Sequence, residues 1–136
     1  MSQENVELVR SIYSAQQRGD FSSAEWAHSE IEFLIPDGPS PGRWTGRAGM
    51  AEAWGDFLRA WEEYRIEVEE YRQLDSERIL VLTRRAGRGK TSGMDLGEMR
   101  SKGANLFQIR SGKVRRLVFY WDRERAFADL GLDPEE

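Results

Sequence analysis

The chain has 136 residues, enough for one domain spanning 1–136 and too few for two, and it has no cysteine, which excludes disulfides, thiolate metal sites and cysteine nucleophiles. A net charge of −4 leaves no basic excess to neutralise nucleic-acid phosphates, and a single histidine, His28, rules out multi-histidine metal sites. The opening MSQENVELVR is unlike a signal peptide and no apolar run approaches a membrane span, so the expectation is a cytoplasmic protein without cofactor, metal, nucleic acid or membrane as partner.

Val6, Val9, Tyr13 and Gln16 recur at helical spacing after Ser2, a plausible N-cap, and Gly19 closes that helix. Asp20 is placed to cap a short second helix carrying Phe21, Ala24 and Ala27. Residues 31–35 alternate Ile31, Phe33 and Ile35 with Glu32 and Leu34, which predicts a strand. Residues 36–42, with three prolines, form a loop, and Trp44 stands at its exit. The clearest helical stripe runs over 46–61 through Met50, Ala53, Trp54, Phe57, Leu58 and Trp61.

Strands follow over 64–71, 78–87 and 96–109, the last with an expected bulge at Gly103, where no side chain resists a bend. Ser111-Gly112 is a hairpin turn signal, and 114–121 is the returning strand. Asp122 and Gly131 bracket a closing helix. The order is helix, helix, strand, helix, four strands, helix. That is an α+β domain with a curved, antiparallel or mixed sheet wrapped on three N-terminal helices and followed by a short C-terminal one.

This order resembles the cone-shaped nuclear transport factor 2-like superfamily, which includes the ketosteroid isomerases and the SnoaL-like polyketide cyclases. The residues that carry the resemblance are R-G-D-F at 18–21, W-T-G at 44–46, R-G-K-T-S-G at 88–93, F-Q-I-R-S-G-K-V-R-R at 107–116 and Y-W-D-R-E-R-A-F-A-D-L-G-L at 120–132. The resemblance implies a homodimer and a small apolar ligand held inside the cone. It also implies positions for catalytic groups. The isomerases' base falls at Leu34-Ile35-Pro36, with Asp37 only after the proline. Their acid donor falls at Asn105, a neutral amide, and their helix-one tyrosine at Ile12 or Tyr13. The cyclases' aspartate falls near Phe119, and the epoxide hydrolases' Arg-x-Asp meets the reversed Glu98-Met99-Arg100. None of these constellations is intact.

The catalytic candidates are therefore Asp37, Glu98 and Asn105, each with a plainer reading. Asp37 is a base at the cone mouth or a turn residue; Asn105 polarises a carbonyl or is a satisfied core amide. Glu98 with Arg84 or Arg85 forms an internal pair or clamp, or a cross-strand pair on the wet or dimer face. Asp122 is read as an N-cap and His28 as a surface residue.

The ligand wall is expected from Tyr13, Phe33, Trp44, Trp54, Phe57, Phe107, Phe119 and Trp121, with ordinary core as the alternative. Asn105, Phe107 and Ile109 should share a face with Leu117, Phe119 and Trp121. Val81, Thr83, Arg116, Val118 and Tyr120 should form an outward, dimerising band. Two functions fit. One is an isomerase- or cyclase-type acid–base enzyme for a polyketide- or steroid-like carbonyl compound. The other is a non-catalytic ligand-binding or dimeric interaction module.

Overall fold

The computed structural model describes residues 2–18, 25–37, 41–59, 61–89 and 98–132, with residues 2, 57–59, 61–64, 87–89 and 98–101 described through their backbone. The elements are α1 (Ser2–Gln17), β1 (Ala27–Ile35), β2 (Gly42–Thr45), α2 (Gly46–Arg59), β3 (Trp61–Gln73), β4 (Arg78–Gly89), β5 (Glu98–Arg110), β6 (Lys113–Tyr120) and α3 (Arg123–Leu130). The six strands form one mixed, curved sheet in the order β2-β1-β6-β5-β4-β3, in which β1 and β6 are parallel and the other neighbours antiparallel.

The helices sort onto two faces by their apolar stripes. In α1 the residues Val9, Ile12 and Tyr13 are buried, and in α2 Met50, Ala53 and Trp54, both sets at i, i+3 and i+4. They pack on the inner face of the sheet, against Ile31, Phe33, Ile79 and Phe107 among others. Gly46 turns the chain from β2 into α2 at φ 82°, a left-handed conformation that glycine adopts without steric cost. α3 covers the opposite face, where Ala126 and Phe127 bury Leu80, Leu82, Ala104, Leu106, Val118 and Tyr120. Asp122 caps this helix, its side chain accepting from the Glu124 N–H at 3.0 Å, and Gly131 ends it at φ 66°. The β5–β6 turn is the expected two-residue one, with Ser111 at φ 53° and Gly112 at φ 76°.

Five expectations change. Ala27, expected in a helix after Asp20, begins β1; residues 19–24, which carry the rest of that expectation, lie outside the described residues. Gly42–Thr45, read as loop exit, is a strand because its backbone pairs with β1, Phe33 opposite Trp44. The α2 stripe does not reach Trp61, whose backbone already pairs with Gly89 in β3–β4. Gly103 is no bulge: it pairs in register with Thr83, and the extra residue between β5 and β6 falls beside the hairpin, between the pairs Gln108–Arg116 and Ile109–Val114. The outward band also dissolves. Val81 and Thr83 are fully buried, with Val81 in the inner core, while Val118 and Tyr120 lie under α3.

Candidate functional site

The inner face of β4 reads Ile79, Val81, Thr83 and Arg85, every second residue of a continuous strand. The same alternation sends Arg84 outward, where it meets Glu69 at 3.2 Å in an exposed ion pair. Arg85 is only 1% exposed. A guanidinium does not lose its proton in a protein, so its burial must be compensated by hydrogen bonds and charge contacts. Its Nη1 donates to the Tyr120 carbonyl oxygen at 2.9 Å and its Nη2 to Asn105 Oδ1 at 2.8 Å. Its Cζ lies 3.8 Å from the centre of the Phe119 ring, a cation–π contact.

Gly103 makes room for this side chain. A Cβ there would lie 2.1 Å from Arg85 Nη1 and 2.7 Å from the Tyr120 carbonyl oxygen. Any other residue at 103 collides with the guanidinium and with the backbone that holds it.

Asn105 passes the polarity inward. Arg85 has donors only, so the amide oxygen must face it and the amide nitrogen must face away. That nitrogen donates to the Tyr13 hydroxyl oxygen at 2.5 Å. Tyr13 is 2% exposed, its ring edge-on to Phe107 at 5.9 Å and Tyr71 at 6.5 Å. The result is a run of hydrogen bonds from Arg85 through Asn105 to the Tyr13 hydroxyl. Beside it, the Thr83 hydroxyl is buried with no hydrogen-bond partner among the described residues.

The wall around the chain is aromatic. Phe33 stacks on Trp54 at 6.0 Å and packs against Trp44 at 5.8 Å. Phe119 meets Trp54 edge-on at 5.5 Å and Trp121 at 6.0 Å. Tyr13, Phe33, Trp44, Trp54, Phe107, Phe119 and Trp121 all belong to or pack against one inner core with Ile109 and Leu117. The side chain of Phe57 lies outside the described residues.

Asp37 sits where β1 ends beside the end of β6. Its carboxylate accepts from the Trp121 N–H at 2.8 Å and the Asp122 N–H at 3.0 Å, so it ties the first strand to the start of α3. The β5 register sets Glu98 opposite Arg88, not Arg84 or Arg85, and its side chain lies outside the described residues. His28 is in β1, its Nδ1 accepting from the Glu30 N–H at 3.0 Å. Among the described residues no Asp or Glu is buried, and no group of three His, Cys, Asp or Glu side chains could hold a metal. No helix among them is long and apolar enough to cross a membrane.

Sequence reasoning missed three parts of this cluster: the choice of Arg85 over Arg84, the clearance at Gly103 and the hydroxyl of Thr83. The one signal in the sequence was Gly103 inside a strand pattern, read as a bulge; which β4 residue lies opposite it is set by the β4–β5 register, which the Ser111-Gly112 turn between β5 and β6 does not fix.

Three helices on a six-stranded, mixed and curved sheet make this an α+β fold of the nuclear transport factor 2-like kind. Residues 9–117 match the SnoaL-like domain, and the chain belongs to that family. Among curated proteins none matches in sequence at a significant level. Among solved structures, TerC co-crystallised with polyporic acid superposes with a TM-score of 0.73 at 20% identity, covering 93% of this chain and 97% of that one. A nuclear transport factor 2-like protein of unknown function from Burkholderia pseudomallei gives a TM-score of 0.76 at 19% identity, over 92% and 95%. A phenazine biosynthesis-related protein from Pseudomonas aeruginosa gives 0.71 at 15% identity, over 97% and 88%. These likenesses establish the shared fold.

Proposed function

We propose that the chain binds a small, mostly apolar carbonyl compound of polyketide type inside the cone, its carbonyl oxygen on the Tyr13 hydroxyl and its hydrocarbon against Trp54, Phe33 and Phe119. The observation that carries this reading is the Arg85–Asn105–Tyr13 chain. A purely structural interior is more cheaply filled with apolar residues than with a guanidinium. A charge-backed donor held in a dry site is what stabilises an enol or enolate oxygen. SnoaL-like membership supports the reading. So do the neighbour crystallised with polyporic acid and the one related to phenazine biosynthesis.

Isomerisation or cyclisation requires a base in addition, and Asp37 and Glu98 are the candidates. The alternative, binding without turnover, is favoured by the absence of a buried carboxylate among the described residues. The reading also takes the protein as a cytoplasmic homodimer that engages neither nucleic acid nor membrane. Its dimer surface cannot be built on Val81 or Thr83, which face the interior.

Tryptophan fluorescence titrated with polyporic acid tests the binding reading. Wild type should quench saturably, and Arg85→Met should weaken binding at least about tenfold while keeping the fold. A wild type that shows no saturable quenching sinks the proposal. Proton exchange from a bound ketone then separates enzyme from binder: loss in Asp37→Asn or Glu98→Gln supports turnover, and no exchange in wild type supports binding alone.

A further inference from the structure

Among the described residues the buried polar side chains of the chain are Thr83, Arg85 and Asn105. Two of them are used in the chain to Tyr13. Thr83 is not. It is fully buried, lies on the inner face between Val81 and Arg85, and pairs directly with Gly103. Its cross-strand partner is thus the same glycine whose missing side chain leaves room for the Arg85 guanidinium. Yet Thr83 Oγ1 has no hydrogen-bond partner among the described residues. A buried hydroxyl in that position loses its hydration and gains nothing from the fold. Valine has the same branched shape and β preference without that cost, and the flanking inner residue of β4 is a valine, Val81.

We infer that Thr83 is a specificity-determining residue whose hydroxyl engages an O–H or enol oxygen of the ligand, close to the carbonyl held by Tyr13. This rests on the binding reading above. The chemistry follows from what each group has left to offer. Arg85 only donates; the Asn105 oxygen is turned to Arg85 and its nitrogen to Tyr13; the Tyr13 oxygen already accepts from Asn105. Thr83 is the hydroxyl with both its donor and its acceptor open. The ligand class that uses both ends is a hydroxylated carbonyl compound, such as the enol of a 1,3-dicarbonyl or a hydroxyquinone, rather than a plain ketone.

Two variants and two probes test this. The probes are 1,4-naphthoquinone and 2-hydroxy-1,4-naphthoquinone, which differ by the ring hydroxyl, followed by tryptophan quenching. Thr83→Val should raise the ligand-free melting midpoint by about 3 °C, because it removes an unsatisfied hydroxyl. It should weaken the hydroxyquinone about tenfold and leave the unsubstituted quinone unchanged, while Thr83→Ser keeps the preference. A lowered midpoint in Thr83→Val would show that the hydroxyl serves the fold and would overturn the inference. So would quinone affinities that stay unchanged or fall together. A wild type that binds neither probe removes the binding reading and this inference with it; a wild type that binds both, with Thr83→Val indistinguishable from it, removes the inference alone.

Discussion

Arg84 and Arg85 are consecutive residues with the same side chain, and the pleat of β4 sends them to opposite faces. The Arg84 side chain is 58% exposed and meets Glu69 at 3.2 Å, an ion pair of the kind that solvent screens to little value. Arg85 is 1% exposed and is held by a backbone carbonyl, an amide oxygen and a ring face. The outer charge lies on the face of β4 whose Leu80 and Leu82 pack with α3, while the inner one is the root of a polarised chain. Identical chemistry is thus decorative on one face and organising on the other. Burial, not residue type, decides which.

The contrast can be broken from the inside first. Gly103→Ala places a methyl against the guanidinium and the Tyr120 carbonyl, and should cost about 3 kcal/mol in urea denaturation, with loss of probe binding. A near-neutral alanine would show that Arg85 has another way to sit.

Tyr120 belongs to both faces, its carbonyl on Arg85 and its hydroxyl on Asp129 beneath α3. Burial and then the Asp129 charge push its phenol up to about 12 from the usual 10. The folded state therefore holds this proton more tightly than the unfolded chain does. Its contribution is complete below pH 10 and is lost as pH rises towards about 12. Tyr120→Phe should flatten that alkaline limb, by on the order of 2 kcal/mol, in melts taken across the window. An unchanged limb would remove the outer hydroxyl from the comparison.

On the outer face Arg123 donates to the Thr83 carbonyl at 2.9 Å and the Gly103 carbonyl at 3.3 Å, and pairs with Glu69. The Arg123 hydrogen bond holds the Glu69 carboxyl below its usual range, so the stability from this pair is present above that range and lost as pH falls through it. Arg123→Met should cost about 1–2 kcal/mol at neutral pH and soften the acid limb. Arg84→Met is the smallest change, within about 0.5 kcal/mol and without effect on probe binding. A large loss there would erase the distinction between the two faces.

Much of the frame was legible because local signals agreed. The Ser111-Gly112 turn, the Asp122 and Gly131 caps and the α2 stripe each rest on neighbours in sequence. The phase of β4 was not legible. Residues 79–83 read Ile-Leu-Val-Leu-Thr, apolar at nearly every position because helices cover one side of the strand and α3 the other. With no alternation to mark the inner side, Val81 and Thr83 were expected outward and Arg84 could not be told from Arg85. Asn105 and Tyr13 were picked out by resemblance, and their contact through 2.5 Å depends on how α1 lies on the sheet, which no local pattern encodes. Gly42–Thr45 was hidden for the opposite reason: its strand state comes from pairing with β1 and not from its own composition.

The parallel pairing of β1 with β6 sets the order in which this chain can be built. Leu34 finds its β6 partner only at Val118, and the Asp37 clasp closes on Trp121 across 84 positions. While the chain emerges from the ribosome, β1 has β2 on one side and an open edge on the other until nearly the whole sequence has been made. Such distant closure slows folding, because the entropy of a long loop is lost before its contacts form. The open edge is also where one nascent copy can capture the β6 of another. Pulse-labelled hydrogen exchange should accordingly find the β5–β6 hairpin protected before β1.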